Sequence, residues 1–211
     1  MVFSSIPSIP ISSLSPTSSS ATSRSSSSQS FIHQYPRRSL LPSRSSCLWR
    51  IECGVVRAMT WRRDGTVVPL GIWQSGDVVG EGLTQSANCQ IEALTDVSVT
   101  AIAFQDWQPV PEELLSHLKQ AHDLMIIRSG RRSDEILLDL LTWLAKRFGQ
   151  PVNNGTLIAL KLTHQDLADF SGLTRVTVTR TLSMFEQNHV IHRLSRQLVL
   201  APDAEVWHYE I

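Results

Sequence analysis

Arginines and threonines stand in HQDLADFSGLTRVTVTRTLSMFEQ, residues 164–187, where a helix that packs in a core would carry Leu and Ala. An arginine fork matches the O6 and N7 acceptors of guanine in the major groove of DNA, and an apolar side chain can contact the methyl group of thymine. The pattern therefore predicts a face that reads base edges, formed by Arg175, Val176, Thr179 and Arg180.

Polar side chains that suit a phosphate backbone surround this face. Hydroxyl, amide and imidazole groups can hold phosphates and set the register of a protein on a duplex, without reading its sequence. We expect this role from Thr163, His164, Gln165 and Thr177.

Two helices and a tight turn must position these side chains. Gly172 permits the left-handed turn that ends the first helix, and Thr174 caps the second. Ala168, Gly172 and Val178 stand at positions 5, 9 and 15 of a twenty-residue unit that begins at His164. This spacing predicts a helix-turn-helix, in which these three positions fix the angle between the helices. An ordinary pair of solvated helices is the alternative.

The segment behind this unit predicts a β-hairpin, HVIHRL and QLVL joined by SR. A hairpin directly behind a recognition helix forms a wing. Arg193 and Arg196 lie near its tip. They either contact phosphates or are exposed, solvated arginines, and both interpretations stay open.

A longer helix is predicted upstream, with a proline and two acids in its first turn. Apolar residues at alternating spacings of four and three form a heptad stripe, namely Leu114, Leu118, Ala121 and Met125. Further apolar residues lie outside the stripe, namely Leu115, Leu124 and Ile127. We expect one side of this helix to dock on the preceding domain and the other to meet a twin helix in a homodimer. A monomer that buries both sides is the alternative.

Short β-rich runs precede that helix. Asp64-Gly65 is a hairpin signal because both residues tolerate positive φ, and glycines at 76, 80 and 82 mark turns or bulges. Short strands at close spacing favour a small antiparallel barrel or sandwich. With the helices that follow, the predicted fold class is α+β.

Composition excludes few partners. The chain of 211 residues has a formal net charge of zero. Residues 151–200 nevertheless carry five basic and three acidic side chains, so neutrality hides a modestly basic segment around the helix-turn-helix. The three cysteines are too widely spaced for a metal knuckle. The apolar stretches are far shorter than the ~20 residues needed to cross a bilayer.

The first thirty residues differ from the rest, with fifteen serines. Such a segment cannot bury enough apolar surface to offset its ordering entropy, so we predict a disordered extension. A serine-rich, arginine-bearing and acid-free start also describes an organelle transit peptide. The protein would then work in a plastid rather than in a bacterial cytoplasm.

GDVVGEG lies in a small barrel, a long helix follows, and then come LTHQDLADFSGLTRVTVTRTLSMFEQNHVI and a wing. In this order of its parts the chain resembles the Crp/Fnr family of bacterial transcription regulators. The stretch FGQPVNNGTLIALKLTHQDLADFSGLTRVTVTR is similar to the cyanobacterial nitrogen-control branch. The resemblance implies a shortened jelly-roll barrel of the cyclic-nucleotide-binding type over residues 31–109. It further implies a dimerisation helix over 110–131 and a winged helix-turn-helix over 132–211.

The resemblance also implies functional roles. Arg175, Val176 and Arg180 become base readers, and Thr174 joins the phosphate neighbours. Members of the family are homodimers that bind two-fold-related half-sites of double-stranded DNA. RNA polymerase is a further partner to consider.

An effector pocket is implied at Gly80, Glu81, Ala87 and Asn88. Members that bind cyclic AMP hold its phosphate with an Arg-Ser pair, which Ala87 and Asn88 replace here. Residues 82–92 contain no basic side chain. A desolvated phosphate without a cation is unfavourable, so cyclic AMP is not expected. Whether another small molecule binds in this pocket stays open. The alternative is a degenerate sensor domain that works without an effector. No cofactor is expected.

Two other classes of function compete with DNA binding. A cupin-like enzyme would need a metal triad or an acid/base pair in the barrel, which has no histidine beyond His33 and no recognisable ligand spacing. We therefore do not expect an enzyme. A winged helix that binds proteins instead of DNA is the other alternative, since the chain ends with acidic residues.

Overall fold

The computed structural model describes residues 31–42, 46–83, 88–195, 197–202 and 204. The predicted extension at 1–30 lies outside these residues. The described part of the N-terminal half is built from strands, in chain order β1 (Ile32–Tyr35), β2 (Leu40–Leu41), β3 (Cys47–Cys53), β4 (Val55–Trp61), β5 (Val67–Gln74), β6 (Val78–Val79), β7 (Gln90–Ala93) and β8 (Val97–Ala103).

These strands form two antiparallel sheets of four strands, in the orders β1-β8-β3-β6 and β2-β7-β4-β5. Their inward side chains pack into one core, where Ile51, Val56 and Val99 are fully buried. The predicted jelly-roll arrangement is confirmed, although the strands make two facing sheets rather than a closed barrel. The hairpin expected at Asp64-Gly65 joins β4 to β5, with Gly65 at a φ of 82°.

Helix α1 (Pro111–Arg128) lies against the sheets through a seam that combines buried Leu124 and Ile127 with polar contacts. The buried Gln120 side chain accepts a hydrogen bond from the backbone N–H of Ile72. His117 Nδ1 accepts from the indole N–H of Trp73 at 3.2 Å, so Nε2 carries the proton and donates to the carbonyl of Val78 at 2.9 Å. These bonds fix the rotation of α1 about its own axis.

The opposite side of α1 is apolar and exposed. It carries the predicted heptad stripe, Leu114, Leu118, Ala121 and Met125, together with Leu115 and Ile126. Leu124 and Ile127 are buried, as expected for the side that docks. Leu115 also lies outside the heptad stripe, but it is 61 % exposed. Each helical residue turns the chain by about 100°, which places Leu115 closer to the stripe than to the buried seam.

Three more helices follow, α2 (Ser133–Phe148), α3 (His164–Ser171) and α4 (Arg175–Gln187). A separate sheet accompanies them, with β9 (Gly149–Val152), β10 (Gly155–Ile158), β11 (Ile191–Leu194) and β12 (Gln197–Leu200) in the order β11-β12-β10-β9. The predicted wing is β11 and β12. The sequence patterns do not predict β9, because Pro151 reads as a stop after α2. Proline is tolerated on β9 because this strand forms the edge of the sheet.

One apolar core unites the helices and reaches the first sheets. Leu137 and Leu141 of α2, Phe170 of α3 and Leu182 of α4 are fully buried in it, and Ile72 of β5 belongs to the same cluster. The helix-turn-helix is therefore packed against the rest of the chain. Among the described residues, none of the helices is both long and apolar enough to cross a membrane.

Replacing Leu137 with Ala is expected to lower the free energy of unfolding by about 2–5 kcal/mol, because a cavity would replace a fully buried side chain. Urea titration followed by circular dichroism measures this loss. Leu194→Ala is the matched control: its side chain is 53 % exposed in the wing, so the change should stay within about 0.5 kcal/mol. Equal losses in the two variants would contradict this account of the core.

Candidate nucleic-acid interface

The first helix of the pair, α3, begins with a complete capping box. The Thr163 hydroxyl accepts from the backbone N–H of Asp166 at 3.1 Å, and the Asp166 carboxylate accepts from the backbone N–H of Thr163 at 2.7 Å. Gly172 ends the helix in the left-handed region at a φ of 76°. Both ends therefore follow from local sequence, as the spacing predicts.

The second helix, α4, is capped by Thr174, whose hydroxyl accepts from the backbone N–H of Thr177 at 3.1 Å. Val178 and Leu182 point into the core, and Ala168 of α3 is buried beside them. The small side chain at 168 lets the two helices approach closely. One face of α4 is thus fixed by packing, and the other is left to solvent.

The predicted base-reading face is the exposed side of α4. Arg175, Thr179 and Arg180 are exposed, and Val176 is 60 % exposed. Within the part of the chain that the structure describes, the guanidinium groups of Arg175 and Arg180 have no hydrogen-bonded partner or salt bridge. An apolar side chain between two available guanidiniums forms a surface suited to a DNA groove.

Thr179 differs from its neighbours because its hydroxyl is already engaged. It donates to the carbonyl of Arg175 at 2.9 Å and lies 2.8 Å from His164 Nδ1. The contact joins the start of α3 to the middle of α4. A base contact by Thr179 therefore stays a prediction, and its visible role is to connect the two helices.

The predicted phosphate neighbours gather at the N-termini of the two helices. Thr163, His164 and Gln165 occupy the start of α3, where the positive end of the helix dipole favours an anion. Gln165 donates to Asp169 at 2.8 Å, which holds its amide along the helix. Thr174 and Thr177 share a hydrogen bond of 2.9 Å between their hydroxyls at the start of α4.

His164 shows the electrostatic character of this surface. Burial, and then the positive charges of Arg193 and Arg175, lower the pKa of its imidazole below the usual value of 6.5. The same positive potential that disfavours a second proton would attract a phosphate.

The structure describes only one of the two wing arginines, Arg193. Arg193 forms a salt bridge with Glu186 of α4 at 3.0 Å, and both side chains are partly exposed. This pair attaches the wing to the end of α4 and leaves the phosphate role of Arg193 a prediction. Arg196 lies outside the described residues.

Sequence patterns do not reveal an ion-pair cluster behind α3, formed by Arg38, Arg57, Glu92, Asp166 and Asp169. Arg38 contacts Asp166 through both terminal nitrogens, one of them at 2.9 Å, and Glu92 at 3.1 Å. Arg57 contacts Glu92 at 2.7 Å, Asp166 at 3.1 Å and Asp169 at 3.4 Å. The cluster joins the first sheets to the helix-turn-helix.

Asp166 is the centre of this cluster. Burial opposes its ionisation, but hydrogen bonds from Arg38 and Thr163 and the charge of Arg57 outweigh burial and hold the pKa of its carboxyl below the usual range. The carboxylate is therefore charged at neutral pH and shared between its own helix cap and the sheets.

The predicted effector pocket is described only in part. Gly80 follows β6, and a side chain there would collide with Leu48 and the backbone of Cys47. Glu81 begins a short 3-10 turn, and Asn88 is exposed. Ala87 lies outside the described residues. These positions remain a prediction.

The chain is similar to known regulators in its C-terminal unit and well beyond it. Residues 135–205 match the family model of the Crp-like helix-turn-helix domain. The chain is 38% identical to the regulatory protein CysR of Synechococcus elongatus, over 78% of this chain and 81% of that protein. It is 32% identical to the global nitrogen regulator of Synechocystis, over 41% of this chain and 39% of that protein.

A structure from Thermus thermophilus, a transcriptional regulator of the CRP family, aligns with a TM-score of 0.72 and 19% identity. The alignment covers 84% of this chain and 95% of that one, which confirms the shared fold. Together with the similarity to CysR over most of both chains, these matches show that the chain belongs to the Crp/Fnr family of transcription regulators, which bind DNA through a helix-turn-helix and are not enzymes.

Proposed function

We propose that this protein works as a homodimer that recognises a palindromic DNA site, with α4 of each protomer in the major groove. The observation that carries the proposal is the exposed Val176 between the available guanidiniums of Arg175 and Arg180, on a helix whose other face is buried. Two such helices would contact half-sites about 34–36 Å apart, one turn of the duplex.

The homodimer is supported by α1. Five large apolar side chains on its outer side are about half exposed or more, which is costly for a helix that remains in water. The heptad spacing of Leu114, Leu118 and Met125 among them suits a twin helix. Because α1 is fixed to the sheets by Gln120 and His117, this stripe is held in one orientation, ready to meet its copy.

The remaining partners are proposed from the family. A regulator bound to a promoter would act through RNA polymerase, in whichever compartment holds the DNA, bacterial cytoplasm or plastid. We propose that the jelly roll (31–109), the dimerisation helix (110–131) and the winged unit (132–211) act as separate functional parts. We do not expect tight binding of cyclic AMP, because residues 82–92 contain no basic side chain to pair with its phosphate.

Replacing Arg175 or Arg180 with Ala is expected to cost about 1–3 kcal/mol in binding and to relax the preference at one base pair. Selection from random duplexes first defines the site, and fluorescence anisotropy then gives the affinity. Arg62 is exposed and directly follows β4, so Arg62→Ala is the matched control and should bind normally. Selection that returns no palindrome would refute this proposal.

The logarithm of the DNA affinity should also fall with the logarithm of the salt concentration. An affinity that does not change with salt would favour the alternative of a protein-binding winged helix.

DNA affinity is expected to rise as the pH falls from about 7.5 to about 6. In the free protein the pKa of His164 lies below 6.5, and a neighbouring phosphate would raise it, so the complex would bind more protons than the free protein. Each unit of that rise contributes at most about tenfold in affinity. Anisotropy at constant ionic strength measures the effect, and His164→Gln should abolish it. A pH dependence that is unchanged in this variant would place the proton elsewhere.

Leu118→Glu is expected to convert the dimer into a monomer, because it places a charge in the middle of the apolar stripe of α1. Sedimentation equilibrium gives the mass directly. Leu194→Glu makes the same substitution at a wing residue of equal exposure, 53 %, and should leave the dimer intact. A parent protein that sediments as a monomer at micromolar concentration would contradict the dimer.

A further inference from the structure

The geometry points to Arg38 and Arg57 of the first sheets as positioning residues for DNA binding. We propose that they orient and neutralise α3, and thereby hold its N-terminus ready for a phosphate. The inference rests on the proposed function in one respect, namely that the start of α3 faces the DNA backbone.

The mechanical link is the carboxylate of Asp166. Within α3 it accepts from the backbone N–H and the hydroxyl of Thr163, at 2.7 and 2.8 Å, and so fixes the first turn. Arg38 donates to both oxygens of the same carboxylate, and Arg57 forms a salt bridge with its Oδ1. The position of the helix cap is therefore set by two side chains from the sheet region, one in the turn after β1 and one on β4.

The electrostatic link is the charge of α3 itself. Asp166 and Asp169 are its two ionisable acids, and both stand within two turns of the phosphate neighbours. Without compensation they would repel a DNA backbone. The two guanidiniums offset these two charges. Glu92 holds both arginines in place from β7, at 3.1 and 2.7 Å, and its carboxylate leaves the whole cluster with a net charge of −1.

Arg57 cannot itself contact DNA. Only 7 % of the residue is exposed, and its nitrogens are turned towards Glu92, Asp166 and Asp169. Any influence of Arg57 on affinity must therefore pass through α3. Arg38 is more accessible, and its backbone lies in the left-handed region at a φ of 71°, which is costly for a residue other than glycine. A hydrogen bond of 2.7 Å from its N–H to the carbonyl of Ala93 holds this conformation.

The test compares DNA affinity in the full-length protein for Arg57→Gln and for the double variant Arg57→Gln/Asp169→Asn, on the selected duplex and well below the melting temperature. The single variant is expected to bind about five- to tenfold more weakly, a coupling typical of one ion-pair network. The double variant should recover most of this loss, because it removes the charge that was left uncompensated. The slope of affinity against salt should equal that of the parent, because Arg57 itself neutralises no phosphate.

Arg38→Gln provides a second variant if Arg57→Gln does not fold, because Arg38 is partly exposed, and a loss in the same direction is expected. Arg62→Gln is the control for removal of one positive charge from the sheets. Unchanged or tighter binding by a folded Arg57→Gln protein, or a loss that Asp169→Asn does not recover, would overturn the inference. Arg180→Ala on the same duplex tests the reading face separately, so failure of one proposal can be told from failure of the other.

Discussion

The arrangement of the DNA-binding half depends on one buried carboxylate, that of Asp166. It closes the capping box of α3 and at the same time forms salt bridges with two arginines of the first sheets. Removing one partner of a buried ion pair leaves an uncompensated charge, which costs more than the intact pair contributes. Helix α3 therefore has one favourable position against the sheets. Helix α4 follows it through the shared core and through the contact between His164 and Thr179.

Helix α4 is stabilised by packing rather than by its own helix propensity. Val176, Thr177, Val178 and Thr179 are β-branched, so the helix has low intrinsic propensity over its first turns. Its stability comes from Val178 and Leu182 in the core and from the Thr174 cap. Because packing on one face maintains the helix, the other face is free to carry residues chosen for a groove. A departure from local preference that is held in place by tertiary contacts is typical of functional surfaces.

Which features can be predicted from the sequence depends on how far apart along the chain the interacting residues lie. Caps, the glycine turn and the heptad stripe involve residues within a few positions of one another, and these features could be predicted. The ion-pair cluster joins residues that are separated along the chain by 54, 112 and 128 positions. Nothing in the local pattern of Arg38 or Arg57 distinguishes a buried cluster from solvated charges. Strand β9 escapes prediction for another reason: its proline is disfavoured in most strands and acceptable only at an edge, which is a property of the sheet.

Helix α3 is held at its other end as well. Arg128, the last residue of α1, donates to the carbonyls of Phe170 and Asp169 at 2.9 and 3.2 Å, where a cation complements the helix dipole. The sheets thus fix the start of α3 and α1 fixes its end. Because α1 is itself tied to the sheets by Gln120 and His117, these contacts close a ring through three parts of the chain. A displacement of α1 along the sheets would break the Arg128 contacts unless the end of α3 moved with it. The reading face of α4 is therefore connected to α1 through α3 by a continuous set of contacts.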